Sequence, residues 1–229
     1  MLPAMRIKEQ RFFPGNRQPV LEVICPKLYN RPLESLAPIS RQLLEASPYG
    51  NAFGTRILAY PEFAFGLCYR LEMSVGPATR EIAALCAEKD AIVVFNIVEG
   101  TLLPSMRVAD PKINYGYIAS KGGMKKEKKI EYEAAELDVS RRAIDKNGLH
   151  IVSLVCDEAT LELKNTREDQ IAIVPAYGFP AVQAMHNSGI GKAMIVNDSL
   201  LGKACGEFRE GDFWMKRKGE GVTYFWLWE

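Results

Sequence analysis

Three kinds of residue in this chain could together carry out covalent chemistry: a cysteine, a glutamate and a group of lysines. Cys156 closes the apolar run Leu149-His-Ile-Val-Ser-Leu-Val-Cys156, after which the chain turns acidic at Asp157 and Glu158. Glu62 closes a shorter run, Arg56-Ile-Leu-Ala-Tyr-Pro-Glu62. Between them lies a basic segment, Lys121 to Lys129, with Lys125, Lys126, Lys128 and Lys129 close together. A thiolate attacks the carbon of an amide or nitrile and forms a covalent intermediate. A free thiol has a pKa of about 8.5 and needs help to ionise at neutral pH. A desolvated glutamate can take the thiol proton and later activate water. A lysine ammonium, with the backbone N–H of Asp157 just after the nucleophile, can hold the oxyanion.

Elements of defined type must bring these groups together. Apolar, β-branched runs without polar alternation read as strands buried on both faces. Val20 to Cys25, Arg56 to Tyr60, Ala91 to Val98, Leu149 to Cys156, Ile171 to Val174 and Lys192 to Asn197 have this character. Asn114 to Ala119 and Gly221 to Trp228 are further strands, the first followed by a hairpin-like turn at Ser120-Lys-Gly-Gly123. Helical spacing recurs over Pro32 to Ala46 and Pro77 to Lys89, and a short helix is expected over Ala181 to Gly189. Glu133 to Asn147 also reads as helical, with Gly148 as its C-cap. Strands alternating with helices predict an α/β layered fold in one domain, residues 1–229. Open α/β folds place reactive groups where strands end, which is where Cys156 and Glu62 fall.

Composition excludes several classes. Hydrophobic residues make up 48% of the chain and charged residues 25%, enough apolar material for a sizeable core. No apolar stretch approaches the roughly 18 residues of a membrane span, and the first residues lack a secretory signal, so a cytoplasmic protein is expected. A net charge of +1 gives no overall field toward nucleic acid or anionic lipid. The five cysteines are odd in number and never spaced as CxxC, which argues for reduced thiols rather than disulfides or structural zinc. With only two histidines, His150 and His186, metal ligation and a Cys–His dyad are poorly supported. His150 lies on the same strand as Cys156, about 20 Å back along it.

The order of these motifs resembles the carbon–nitrogen hydrolase (nitrilase) superfamily over nearly the whole chain. The matching pieces are Ile57-Leu-Ala-Tyr-Pro-Glu62, Ala91-Ile-Val-Val-Phe, Asn114-Tyr-Gly-Tyr-Ile, Gly148 to Glu158, Ile171-Ala-Ile-Val-Pro175 and Ala193-Met-Ile-Val-Asn197. The resemblance implies a four-layer α-β-β-α sandwich and a catalytic Glu62, Lys129 and Cys156. Lys128 is the alternative lysine, since adjacent strand residues point to opposite faces and only one can serve. A second family glutamate usually lies between lysine and cysteine, at Glu133 or Glu136 here. The implied activity is cofactor-independent hydrolysis of a small amide or carbamoyl compound, in preference to a nitrile, by a homodimer or larger homo-oligomer. No metal, nucleic acid or membrane partner is implied.

The chain departs from the family in a shorter lysine-to-cysteine interval and in lacking the customary aromatic-Pro pattern after the cysteine. These departures fall in the substrate-pocket loops and leave a rival: a degenerate nitrilase-fold member kept for binding or assembly. Acyl transfer is a third reading. Elsewhere, the aromatic C-terminus (Trp214, Tyr224, Phe225, Trp226 and Trp228) reads as a core edge or an oligomer contact.

Overall fold

The structure, a computed structural model, describes residues 7–8, 21–29, 31–47, 54–65, 67–68, 75–99, 114–130, 136–177, 192–197, 205–209, 212–217 and 222–227. In chain order its elements begin with β1 (Ile7–Lys8), β2 (Leu21–Pro26), α1 (Leu36–Glu45), β3 (Thr55–Ala59), β4 (Leu67–Cys68) and α2 (Val75–Lys89). There follow β5 (Ile92–Glu99), β6 (Asn114–Ser120), β7 (Gly123–Lys128), β8 (Glu136–Asp138), β9 (Ala143–Lys146) and β10 (Leu149–Ser153). The last are β11 (Glu162–Lys164), β12 (Gln170–Ala176), β13 (Lys192–Asn197), β14 (Cys205–Arg209), β15 (Asp212–Arg217) and β16 (Val222–Leu227).

Two mixed sheets form the centre. The larger runs β1-β16-β2-β3-β5-β6-β7, with β4 also beside β5, and the smaller runs β15-β14-β13-β12-β10-β9. Strand residues alternate between the two faces of a sheet, and here both faces are covered. From β3 and β5, Leu58, Val93, Phe95 and Ile97 pack against α1 and α2. Their neighbours Ile57, Ala59, Ile92 and Val94 meet Ile151, Ile171, Ile173 and Met194 of the smaller sheet. That burial on both sides explains why these strands read as unbroken apolar runs. On the far face of the smaller sheet, Val152, Ala172, Val174 and Ile195 pack under Leu137, Val139 and Leu163.

The helices follow their spacing. Leu36, Ile39, Leu43 and Leu44 of α1 and Ala78, Ile82, Leu85 and Cys86 of α2 are buried. Pro38 and Pro77 fall in the first turns, where the backbone N–H groups have no partner within the helix. No described helix is long and apolar enough to cross a membrane.

One expected helix is wrong. In place of a helix over residues 133–147, the described part is β8, a 3-10 turn (Val139–Arg142) and β9. Asn147 and Gly148 both have positive φ, 52° and 80°, and Lys146 pairs with Leu149. Asn-Gly is the preferred pair for such a two-residue hairpin loop, whose twist matches the strands it joins. Gly148 therefore turns a hairpin and does not cap a helix. The helix expected over 181–189 lies outside the described residues.

The lysine-rich segment is β7, at the edge of the larger sheet. Lys125, Lys126 and Lys128 are exposed there, and charged side chains on an edge strand oppose sheet-to-sheet association. Lys126 also lies 3.9 Å from the centre of the Tyr115 ring.

Candidate active site

The site forms where strand ends of the two sheets meet. Beyond β3, the Glu62 N–H donates to the Ala176 carbonyl at the end of β12 (3.3 Å), joining the larger sheet to the smaller. Glu62 is 2% exposed. Its carboxylate accepts from Asn114 Nδ2 at 2.9 Å and Lys129 Nζ at 3.1 Å, and it shares a hydrogen bond with the Cys156 side chain. Asn114 is oriented in turn by Asn96, whose Nδ2 donates to Asn114 Oδ1 at 3.0 Å. Asn96 Oδ1 accepts from the Phe63 N–H at 3.1 Å. The turn holding Glu62 and the base of β6 are thus fixed by one chain of amide hydrogen bonds.

Cys156 lies three residues past the end of β10 rather than on the strand. Leu154 still bonds to the Ile173 carbonyl (3.0 Å), and the chain then turns sharply. Cys156 has φ 53°, a left-handed conformation rare for a residue with a side chain and costing about 1–3 kcal/mol. Among the described residues four other non-glycines share a positive φ. Three are Asp or Asn, which tolerate it; the fourth is Phe63, directly after Glu62. The strain that local chemistry does not explain thus flanks the two proposed reacting groups. The Tyr177 backbone N–H donates to the Cys156 sulfur. The Tyr177 ring is packed between Tyr29 (5.8 Å, stacked) and Phe63 (5.2 Å, edge-on), which steadies that donor.

Lys129 follows β7. Its N–H donates to the Asn114 carbonyl at 2.7 Å. Its ammonium lies 3.1 Å from Glu62 Oε1 and 2.7 Å from Asp157 Oδ1. Lys128, the last residue of β7, is exposed, and it is Lys129 that reaches Glu62, consistent with adjacent extended residues pointing to opposite faces.

The three groups shift one another. Burial raises the Glu62 pKa, and Lys129, Cys156 and Asn114 only partly offset it. Burial and then the Glu62 charge push the Cys156 thiol up to about 12, against the Tyr177 amide and Lys129. Burial opposes the Lys129 charge, but Glu62, Asp157 and Cys156 outweigh it and hold its pKa above the ordinary lysine value. Burial thus favours the protonated forms of both Cys156 and Glu62, which lie one hydrogen bond apart beside the Lys129 ammonium.

The other candidates fall elsewhere. Glu136 is exposed on β8 and pairs with Lys164 at 2.9 Å on the surface, because its strand lies on the outer face of the smaller sheet. It is not part of the site. Glu133 and His186 lie outside the described residues. His150 sits in β10 and bonds Asp145 at 2.9 Å, away from the site. Asp157 contributes its carboxylate to Lys129, a contact that considering only its N–H overlooked. Asn96, Asn114, Arg142 and Glu158 were also missed as functional candidates. The available signal was a polar residue inside an apolar run, as Asn96 is within Ala91 to Val98. Among the described residues, no group of three His, Cys, Asp or Glu side chains is arranged to hold a metal.

No protein-family model matches the sequence, and no curated protein matches it. Solved structures do. A cysteine-to-alanine mutant of the amidase from Nesterenkonia AN1, of the nitrilase superfamily, matches 93% of this chain and 92% of its own, with TM-score 0.63 and 15% identity. Nit3 of Saccharomyces cerevisiae, a member of branch 10 of that superfamily, matches 91% of this chain and 90% of its own, with TM-score 0.57 and 15% identity. The fold is that of the nitrilase superfamily. A double mutant of the Nesterenkonia amidase in complex with acrylamide matches 94% of this chain and 93% of its own, with TM-score 0.61 and 13% identity. Another mutant of that amidase carries the acetamide moiety of fluoroacetamide on its active-site cysteine. At these identities the likeness to the nitrilase fold concerns architecture.

Proposed function

We propose that this chain hydrolyses the carbon–nitrogen bond of a small amide or carbamoyl compound, in preference to a nitrile, through a covalent intermediate on Cys156. The observation that carries this is the convergence of a thiol, an ammonium and an amide donor on one buried carboxylate, Glu62. In the first step the Cys156 proton passes to Glu62 and sulfur bonds to the carbonyl carbon. The carbonyl electron pair moves onto oxygen, where Lys129 Nζ and the Asp157 N–H stabilise it. As the tetrahedral adduct collapses, Glu62 returns the proton to the departing amine and a thioester remains. Water then attacks the thioester, losing a proton to Glu62, and a carboxylic acid leaves as the thiol re-forms. The atoms balance without any cofactor.

The covalent adduct on the Nesterenkonia amidase and its acrylamide complex support a small neutral amide as the substrate class. The thiols of Cys86 and Cys156, in no disulfide, suit a reducing, cytoplasmic setting, and the family resemblance favours a single-domain homo-oligomer.

The test is mass spectrometry after incubation with fluoroacetamide, together with ammonia release from a panel of simple amides. One adduct is expected on Cys156, and Cys156→Ala should reduce ammonia release to the uncatalysed background. An unlabelled Cys156, with ammonia release the same in Cys156→Ala, would sink the enzyme reading and leave the chain a binding module.

A further inference from the structure

Glu158 is fully buried, and its carboxylate accepts three hydrogen bonds. Oε2 takes the N–H of Val155 at 2.6 Å, and Oε1 takes the N–H of Ile130 at 2.7 Å and Arg142 Nη2 at 2.6 Å. Val155 immediately precedes the thiol residue, and Ile130 immediately follows the ammonium residue. One carboxylate therefore bridges the two segments that carry Cys156 and Lys129. We infer that Glu158, paired with Arg142, is a positioning residue that fixes the thiol and the ammonium relative to each other through their backbones. The inference deepens the hydrolase proposal above and rests on it.

The geometry leaves little slack. The Glu158 N–H bonds the Val155 carbonyl (3.2 Å) while its side chain bonds the Val155 N–H, so the turn that strains Cys156 is clamped on both sides. Lys129 is bracketed likewise: its own N–H goes to Asn114 and the next N–H goes to Glu158. Arg142 is 3% exposed and balances the charge. A buried carboxylate without such a cation would favour its neutral form and lose acceptor capacity. Gly116 on β6 makes room for the pair: a Cβ there would meet Arg142 Nη1 and lie 2.9 Å from Val155 Cγ2. Glu158 touches neither sulfur nor Nζ by any of these bonds, so its effect must pass through the two backbones.

The role is specific to a carboxylate. A glutamine offers one acceptor oxygen, and its amide group would face either the Val155 or the Ile130 N–H, donor against donor. Glu158→Gln should fold yet lose one tether, and misplacement of about 1 Å costs roughly 100-fold in rate.

The experiment is the rate at which iodoacetamide alkylates Cys156, read by peptide mass spectrometry across a pH series, with circular dichroism and melting to establish folding. Folded Glu158→Gln should label roughly 10- to 100-fold more slowly than the unaltered protein. Its rate should keep climbing with pH where the unaltered protein has levelled off, which a purely structural role would not produce. Glu158→Gln/Arg142→Met removes both charges and avoids an unpaired buried guanidinium; it should label as slowly. Either folded variant labelling at the unaltered rate overturns the inference. Should neither variant fold, hydrogen exchange on the unaltered protein decides: the Ile130 and Val155 amides should exchange as slowly as those of β12, and fast exchange overturns the inference. Glu62→Gln and Lys129→Met separate the two levels. Labelling unaffected by those substitutions means that the hydrolase proposal has failed; labelling slowed by them but not by Glu158→Gln means that the positioning role alone has failed.

Discussion

Glu22 and Glu62 are buried carboxylates at opposite ends of the same pair of parallel strands, and they are satisfied in opposite ways. Glu22 on β2 lies beside Arg56 on β3. It accepts from Arg56 Nε at 2.9 Å and from the Ser47 hydroxyl, while Arg56 Nη2 also donates to the Leu44 carbonyl at 2.6 Å. These bonds tie β2 to β3 and to the Leu44 carbonyl at the end of α1, so the cluster serves to lock strand to strand. Glu62 instead faces an amide, an ammonium and a thiol. The thiol shares a hydrogen bond with the carboxyl group, so this cluster offers a path for proton transfer between sulfur and oxygen. Burial alone does not make a carboxylate reactive; the proton inventory of its partners does.

Three substitutions bear on that contrast. The largest effect is expected from Glu62→Gln, which should slow Cys156 alkylation roughly 10²- to 10⁴-fold, the usual contribution of a positioned base. The pH dependence should change with it. Burial raises the Glu62 pKa, so in the unaltered protein labelling rises as Glu62 ionises above the ordinary glutamate range and then levels off. In Glu62→Gln it should continue to rise beyond about pH 8.5, following the thiol itself. Stability should respond in the opposite sense. A raised folded-state pKa contributes stability that is complete below the unfolded pKa and lost as pH rises through the folded one. Glu62→Gln should therefore gain on the unaltered protein in urea melts as pH increases across that window. A uniform offset with no pH trend would place Glu62 with Glu22.

Next comes Glu22→Gln, which leaves Arg56 buried without its carboxylate and should cost about 3–5 kcal/mol in urea unfolding. Alkylation of the folded protein should be unchanged. Labelling lost in parallel with stability would erase the distinction between the two ends of the strands. The smallest effect belongs to Lys128→Met: stability within about 0.5 kcal/mol and labelling unaltered, as for an exposed side chain outside the site. Slowed labelling there would reassign the ammonium to Lys128.

The elements that were legible in the sequence are those whose pattern follows directly from burial. Ala91 to Val98 and Ile171 to Val174 read as strands because helices or a second sheet cover both faces of residues such as Val93, Val94, Ile171 and Ala172. Leu36, Ile39, Leu43 and Leu44 read as a helix because one face is buried. Residues 136–147 misled because their short elements alternate too briefly to establish a period, and the Asn147-Gly148 turn was given the wrong structural meaning. At the candidate site, Glu62 and Cys156 could be singled out because each ends an apolar run. Glu158 was not, because its partners Ile130 and Arg142 come from separate segments, and no local pattern announces a shared acceptor.

By itself the sequence determined the apolar runs, the helical faces and the presence of a thiol, a carboxylate and lysines at run ends, because each of these is set by residue type and local period. Only the tertiary structure decided that Lys129 and not Lys128 reaches Glu62, that the Asp157 carboxylate pairs with Lys129, and that Glu158 is buried while Glu136 is exposed. Those choices depend on strand parity at the end of β7, on the left-handed turn at Cys156 and on hydrogen bonds between segments far apart in the chain. Long-range geometry of that kind is set by the packing of the two sheets.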